Sequence, residues 1–361
     1  MKWIALAPLS TEFLMLVGSV MSIGRASDTL KMGIYLEKLT HIVSVPHMKS
    51  DPVFSSYIGI DWSGAKAKNH AGLQLAVAKP GKAVPKRMGP PVGRYWSRCQ
   101  VLELLFEYAN AAVGKLPVLA GIDFAFAHPF RIKKSADLSI DVAAEVDGKS
   151  YFPGAEDSPQ TATELWALVE KVNCNLPDLY GGAMFGHPKW GEYYLAPPDY
   201  KARYYESCRR LTEIASHAAG RSPSPTFKAV GADNVSTGSL AGMRLLHRLK
   251  QQLGERLSIW PFDDIVDGKT DLVLVEVFPS LYFYRLGMVS AKKAAANPTF
   301  LNRALAAYDS QGVKPDFTPI GNDADEADAI IAAAALRYFS IALGFTLPAA
   351  VLAIARREGW I

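Results

Sequence analysis

Two apolar segments of this chain end in the same three residues, Gly-Ile-Asp. The first, SYIGID, ends at Asp61, and the second, VLAGID, ends at Asp123. Short apolar runs bounded by turn residues are typical of buried strands. A carboxylate near the end of a buried strand loses hydration, so it needs a cation or hydrogen-bond donors to compensate. The two segments therefore predict buried strands whose terminal acids need partners.

The residues between these segments predict how the two strands are arranged. GLQLAVAK, residues 72–79, alternates in hydropathy and follows the first strand after a short turn, which predicts a hairpin. Residues 80–95 are rich in Pro and Gly, with a short edge strand expected at GRYW. A helix then begins at the N-cap Ser97. Because a helical crossover joins parallel strands, we expect Asp61 and Asp123 at the same edge of the sheet.

The remaining apolar patterns extend this core. Residues 236–253 and 321–344 have helical periodicity, and a last helix follows the second of them. RLSIWPF and DLVLVEVFPS predict two more strands. The expected fold class is α/β, with a ribonuclease H-like mixed sheet flanked by helices and a large mid-chain insertion.

Composition changes in the middle of the chain, where Tyr, Pro, Gly and charged residues dominate. A loop of that length without its own structure is uncommon, so we expect an inserted subdomain with a helix at 161–172. At the N-terminus Glu12 interrupts an apolar run, which disfavours a signal peptide or membrane span and favours a poorly ordered extension. The expected units are an N-terminal extension, 1–50, a core, 51–130 and 226–361, and an inserted subdomain, 131–225.

Charge and cysteine usage exclude few function classes. The 361 residues include 39 basic and 35 acidic ones, a net charge of +4. This balance gives no strong global field, although a local basic face remains compatible with it. The three cysteines have no CxxC spacing, which disfavours a zinc site or a disulfide framework. A reducing, cytoplasmic location without membrane contact is the default expectation.

Three further acids lie in apolar contexts. Glu276 lies within LVLVEVF, while Asp325 and Asp328 open the predicted helix 321–344. Residues three apart lie on one face of a helix, so Asp325 and Asp328 can approach a sheet together. Several desolvated carboxylates at one point would imply a bound metal ion.

Each acid also has a simpler explanation. Asp61 and Asp123 are compatible with turn formation. The acids of the helix complement its dipole, an effect of about 0.3–1 kcal/mol per charge. Glu276 is compatible with a buried cationic partner such as Arg285. Only the joint order of these acids along the chain favours a shared site.

That order resembles a known nuclease superfamily. An acid on the first strand, another on a later parallel strand and acids opening a C-terminal helix resemble the ribonuclease H-like superfamily, whose carboxylates hold two Mg²⁺ or Mn²⁺ ions. More narrowly, the chain resembles family 429 of the domains of unknown function, described as predicted ribonuclease H-like nucleases. The resemblance covers about 55–361 apart from the insertion. The motifs that carry it are GIDWSGAK, AGIDFAFA, STGSLAGMRLL, IWPFD, VEVFPSLYFYRLG, DEADAIIAAAALRYF and EGWI.

The resemblance implies a metal-dependent nuclease acting on DNA or RNA. It makes Asp61, Asp123 and Asp328 the metal ligands for Mg²⁺ or Mn²⁺, with Asp325 and Glu276 as further catalytic candidates. Glu276 lies too far along the chain to match the helix-borne Glu of ribonuclease H proper. DEADA is more similar to the paired helix acids of Holliday-junction resolvases. Phosphodiester hydrolysis would then use two metal ions about 3.5–4 Å apart.

Substrate phosphates need cations or small hydroxyl residues nearby. The candidates are Ser63, Lys66, Lys68, Lys292 and Lys293, although lysines in loops are usually solvated surface residues. His128, directly after FAFA, is either a proton shuttle or an ordinary loop histidine.

Two other functions remain open at this point. GIDWSG also resembles the first phosphate loop of actin-like ATPases and sugar kinases, whose second motif would have to be GADNVSTGSLAG. Alternatively, the chain is a nucleic-acid-binding protein of the same fold without catalysis.

Overall fold

The computed structural model of the protein describes residues 53–131, 149–197, 202–218, 221, 223–231, 234–284, 286–288, 297–319, 325–342 and 345–361. The predicted extension, 1–50, and Arg285, Lys292 and Lys293 lie outside these ranges. The strands are β1 (Ser56–Asp61), β2 (Gln74–Ala78), β3 (Lys86–Met88), β4 (Val118–Ile122), β5 (Leu257–Ile259) and β6 (Leu272–Glu276). The α-helices are α1 (Arg98–Ala112), α2 (Ala162–Asn173), α3 (Leu211–Ala218), α4 (Ser236–Leu253), α5 (Pro279–Tyr284), α6 (Pro298–Ala307), α7 (Asp325–Ala342) and α8 (Ala349–Glu358).

The strands form one mixed sheet in the order β3-β2-β1-β4-β6-β5. β2 is antiparallel to both β1 and β3, whereas β1, β4, β6 and β5 run parallel to one another. The predicted hairpin and the predicted parallel crossover through α1 are therefore confirmed. The coarse expectation of a mixed sheet flanked by helices is confirmed as well.

Helices cover both faces of this sheet. Ile58, Ile60 and Ile122 point into an apolar cluster that includes the buried sides of α1 and α4. Tyr57 and Leu119, which alternate with them along the strands, point into a second cluster formed with α6 and α7. We call these the α4 face and the α7 face of the sheet.

The contact between α7 and β1 depends on small residues. A Cβ atom at Gly59 would lie 2.2 Å from the backbone oxygen of Ala329 and 2.9 Å from the Cβ of Ala332. The run of alanines in α7 thus lets its backbone reach the middle of the sheet. A larger side chain at Gly59 would push the helix away.

The described part of the predicted insertion packs on the α4 face. Thr161 caps α2 through a capping box with Glu164, which confirms the predicted helix within one residue. Trp166, Tyr193 and Tyr194 are buried in the same apolar cluster as β1 and β4. This segment therefore helps to cover the sheet.

Some predicted elements differ from the structure. The edge strand expected at GRYW lies instead at Lys86–Met88, and of GRYW only Trp96 pairs, in an isolated bridge with His70. Gly89, Pro90 and Pro91 separate the two segments, and prolines cannot donate to a ladder. The short helices α3, α5 and α6 were not predicted. In the part of the chain that the structure describes, no helix combines enough length and apolar character to span a membrane.

Candidate functional site at the carboxyl edge of the sheet

Strand register places Asp61 and Asp123 side by side. Ile60 pairs with Ile122, and the backbone N–H of Asp123 donates to the oxygen of Ile60 at 3.0 Å. Each acid therefore follows directly after this pair on two neighbouring parallel strands. Neighbouring strands lie about 4.8 Å apart, so the two aspartates are adjacent at the carboxyl edge.

Alternation along the strands directs both aspartates to the α7 face. Residues two apart in a strand share a face. Gly59, two residues before Asp61, lies against Ala329 of α7. Gly121, two residues before Asp123, lies against Leu336 of the same helix. The predicted convergence of these acids on one face and one edge follows from the register.

The first turn of α7 brings two more acids towards this edge. Asp325 is one helical turn before Ala329, so the two residues share the side of α7 that faces β1. An Oδ atom of Asp325 lies 3.1 Å from the position of a Cβ at Gly72, just before β2. Because Gln74 of β2 pairs with Asp61, Asp325 lies at the same corner of the sheet.

Asp328 lies on the same side of α7, three residues after Asp325 and one before Ala329. It is half-buried, whereas Asp325 is 9% exposed. We name Asp61, Asp123, Asp325 and Asp328 the acid corner. Carboxylate oxygens are the donors that Mg²⁺ prefers, so the chemistry of this set fits a hard divalent cation. Among the described residues, however, no three His, Cys, Asp or Glu side chains are grouped closely enough to hold a metal ion.

The structure assigns Glu276 a different role from the one expected. Glu276 pairs in register with Ile122, one residue before Asp123, so its side chain points to the α4 face. Its carboxylate accepts hydrogen bonds from Arg210 Nη1 at 2.8 Å and Nη2 at 2.5 Å, and from the backbone N–H of Phe126 at 3.1 Å. We therefore leave Glu276 out of the acid corner and correct its catalytic assignment to a structural ion pair.

Arg210 is the centre of a buried charged network. Its Nε donates to Glu213 Oε1 at 2.8 Å, and its Nη1 also donates to the backbone oxygen of Glu358 at 2.8 Å. Burial alone would lower the pKa of Arg210, but Glu276 and Glu213 raise it above its usual range. We name Arg210, Glu213, Glu276 and Glu358 the arginine cluster.

Glu358 fixes the end of the last helix to the rest of the protein. Its two carboxylate oxygens accept the backbone N–H groups of Phe130 at 2.7 Å and Leu211 at 2.8 Å. Burial raises the pKa of Glu358 to about 7, although these hydrogen bonds and Arg210 oppose the shift. The arginine cluster thus joins β6, α3 and the C-terminal segment.

His128 is a buried structural histidine. Its two ring nitrogens lie 2.9 Å from Thr226 Oγ1 and 2.8 Å from Tyr194 Oη. Burial, assisted by the charge of Arg210, lowers the pKa of His128 to about 3. The ring is neutral at physiological pH and has no solvent access, which argues against a proton shuttle.

A buried arginine holds the loop that follows Asp61. Arg98 donates from Nη1 to the oxygen of Ser63 at 2.6 Å and from Nη2 to the oxygen of Ala65 at 3.0 Å. Asp178 accepts the backbone N–H of Cys99 at 3.0 Å, and an Oδ atom of Asp178 lies 2.8 Å from His70 Nε2. Sequence reasoning missed both charged residues, because each contacts a segment far away along the chain.

Two glycines bring this loop against the start of α4. A Cβ atom at Gly64 would lie 2.2 Å from the backbone nitrogen of Gly238. The indole Nε1 of Trp62 donates to the oxygen of Gly238 at 3.1 Å. Of the predicted phosphate contacts, Ser63 is half-buried in this loop and Lys66 is exposed beside it, as is Lys68.

Comparisons of the chain with protein-family models, curated proteins and solved structures found no match. A function for this protein must therefore be inferred from its own residues and their geometry.

Proposed function

We propose that the protein is a divalent-metal-dependent nuclease with a ribonuclease H-like fold that hydrolyses phosphodiester bonds. One observation supports this proposal: Asp61 ends β1, Asp123 directly follows the neighbouring parallel strand β4, and Asp325 in the first turn of α7 lies near Gly72 at the same edge. Together with Asp328, four aspartates from three separate elements are candidates for one site. Such a concentration of negative charge favours a bound cation.

The sheet topology also supports the proposal. The first strand forms an antiparallel hairpin, and the chain then crosses through a helix to a parallel strand. A long C-terminal helix lies on the face to which the two aspartates point. The acids occur along these elements in the order that underlies the resemblance of the sequence to the ribonuclease H-like superfamily and to family 429 of the domains of unknown function.

In this proposal Asp61, Asp123 and Asp328 hold Mg²⁺ or Mn²⁺, and Asp325 lies beside them. The chemistry that such ions supply is a bound water of lowered pKa and neutralisation of charge on the phosphate. The protein's own part is positioning. The strand ladder fixes the backbone of Asp61, and Arg98 fixes the loop whose Ser63 and Lys66 can orient a substrate phosphate.

The decisive experiment incubates the full chain with Mn²⁺ and single-stranded, duplex, hybrid and branched nucleic acids. We expect the wild type to cut at least one substrate. Asp61→Asn and Asp123→Asn should lose at least about 100-fold in rate, since even residues outside the first coordination shell contribute 10–100-fold. The control is Asp267→Asn, an exposed aspartate in the turn between β5 and β6. A wild type that cuts nothing and binds no divalent metal would overturn the proposal.

One observation favours a second candidate function, an actin-like ATPase or sugar-kinase-type phosphotransferase. The two segments that such a protein would use, GIDWSG and STGSLAG, touch each other through Gly64 and Gly238. Backbone N–H groups at a helix start next to a glycine loop are suited to phosphate. Calorimetry of ATP binding with Mg²⁺ tests this candidate, and binding of ATP without cleavage of nucleic acid would favour it over the nuclease.

A further inference from the structure

The segment that follows Asp61 is basic without any compensating acid. From Trp62 through Leu102 the chain contains no Asp or Glu, although acidic and basic residues nearly balance over the whole chain. Local charge of one sign over such a stretch creates a field that the global charge does not reveal. Its eight basic residues are Lys66, Lys68, Lys79, Lys82, Lys86, Arg87, Arg94 and Arg98.

Three of these eight have partners within the protein. Lys79 donates to Ser56 Oγ at 2.7 Å, Lys82 pairs with Asp309 at 2.6 Å, and Arg98 is the buried residue that holds the loop. The other five are exposed. Within the described ranges none of these five takes part in a carboxylate ion pair.

Local pairing brings the two halves of this basic segment together. The backbone N–H of His70 donates to the oxygen of Trp96 at 2.9 Å, and the two residues form an isolated bridge. Lys66 and Lys68 lie just before His70, and Arg94 lies just before Trp96. The exposed loop after Asp61 and the end of the 80–96 segment are therefore neighbours.

Arg87 extends this basic surface to the acid corner. It pairs with Ala76, which belongs to the α7 face, and side chains directly opposite each other in a sheet share a face. Its Nη2 lies 3.8 Å from the position of a Cβ at Gly89, so the guanidinium extends towards the end of β3. β2 begins at that end, next to Gly72 and Asp325.

Lys86 provides a contrast to Arg87. It pairs with Val77, which packs against the α4 face, so its side chain lies on the opposite side of β3. Both residues are exposed and differ by one position. Sheet geometry therefore separates Arg87, on the side of the acids, from Lys86, whereas Lys66 and Lys68 lie in the loop that leaves the edge of the sheet after Asp61.

We propose that Lys66, Lys68, Arg87 and Arg94, which we name the basic rim, bind the phosphate backbone of a nucleic acid beside the acid corner. The inference rests on the proposed function, because it assigns where that site's substrate lies. Exposed cations attract the phosphates of a polyanion by charge alone, so this contact does not require a bound metal ion. Arg94 also lies 5.1 Å from the ring of the half-buried Tyr95, an aromatic residue suited to stacking on a base.

The experiment measures binding of labelled single-stranded and duplex oligonucleotides by fluorescence anisotropy in EDTA, so that no metal-dependent cutting occurs. The dissociation constant is followed from 50 to 200 mM salt, because each phosphate contact contributes about 0.7 to 0.9 to the slope of log affinity against log salt. Arg87→Gln and Lys66→Gln should each weaken binding and reduce the slope by about 1. The variant with all four rim residues replaced by Gln should show the largest loss.

Lys86→Gln is the matched control and should bind like the wild type. Equal losses for Lys86→Gln and Arg87→Gln, or unchanged binding by the four-residue variant, would overturn the inference. Binding to vesicles of anionic lipid without binding to oligonucleotides would overturn it in favour of a membrane surface. New self-association of the variants with unchanged oligonucleotide binding would also overturn it. That result would show that the basic residues keep the edge strand β3 from pairing with another chain.

The outcome is separable from that of the proposed function. Loss of binding by the rim variants combined with a wild type that cuts nothing in Mn²⁺ supports the basic rim and contradicts the nuclease. Cutting by a wild type whose rim variants bind normally contradicts the basic rim and supports the nuclease.

Discussion

The acid corner and the arginine cluster lie near the same edge of one sheet but on opposite faces. Asp123 and Glu276 differ by one position in the register, since Glu276 pairs with Ile122 and Asp123 follows it. That one position turns Glu276 towards Arg210 and Asp123 towards α7. The carboxylate of Glu276 pairs with a buried arginine, whereas Asp61, Asp123 and Asp325 come from three elements that meet at one edge of the sheet. The side to which a strand-end acid points therefore separates a structural acid from a candidate ligand.

The largest expected effect comes from breaking the arginine cluster. Glu276→Ala leaves Arg210 buried with fewer partners, so the free energy of unfolding should fall by about 3–5 kcal/mol. Urea denaturation followed by circular dichroism measures this. Asp61→Asn should lower the free energy of unfolding much less, because Asp61 is only half-buried. Equal stability losses for the two variants would remove the proposed difference between the regions.

The arginine cluster should also make stability depend on pH. The pKa of Glu358 is raised from 4.5 to about 7, so the folded protein binds its proton more tightly than the unfolded chain does. The stabilisation contributed by Glu358 should therefore be lost as pH rises from about 4.5 to about 7, by up to about 3 kcal/mol, whereas His128, with its pKa lowered to about 3, contributes in the opposite direction below about pH 6.5. Burial also raises the pKa of Glu213, which acts in the same direction.

Denaturation midpoints measured from pH 4.5 to 7.5 check this prediction. Glu358→Gln should lack this loss, so the stability of the variant should rise with pH relative to that of the wild type, whereas Glu156→Gln, an exposed glutamate, should follow the wild type. An unchanged pH slope in Glu358→Gln would contradict the assigned role of Glu358.

A smaller loss of stability should follow from disturbing the close packing of α7 on β1. Gly59→Ala places a Cβ atom 2.2 Å from the oxygen of Ala329, so helix and strand must separate. Overpacking of this kind costs about 1–3 kcal/mol. Gly186→Ala is the control, because a Cβ there meets no atom within 4 Å. Thermal unfolding compares the two variants. Equal midpoint temperatures would show that α7 does not pack closely against Gly59.

Local patterns predicted much of this fold. The Gly-Ile-Asp segments, the alternation in 72–79 and the periodicity of α1, α4 and α7 are short-range signals, and the hairpin and crossover follow from them. The edge strand was misplaced, since KRM and GRYW each offer only three or four residues. With so few residues, tertiary pairing rather than pattern decides which one joins the sheet.

The sequence pattern does not indicate to which face of the sheet Glu276 points. LVLVE is buried on both faces, so its hydropathy does not alternate and cannot indicate to which side the acid points. Its partner Arg210 lies 66 residues away in the predicted insertion. Asp178 was missed for a similar reason, because its partner His70 lies 108 residues away in the sequence. Only the register of β4 with β6 separates Glu276 from Asp123.

Calorimetric titration of Mn²⁺ into the wild type, Asp61→Asn and Glu276→Gln tests the central claim most directly. Circular dichroism of each variant first establishes that it is folded at the temperature of the titration. If the acid corner holds the metal and the arginine cluster does not, Asp61→Asn should bind Mn²⁺ at least about 10-fold more weakly while Glu276→Gln binds like the wild type. No Mn²⁺ binding by the wild type, or an equal loss of affinity in both variants, would contradict the account.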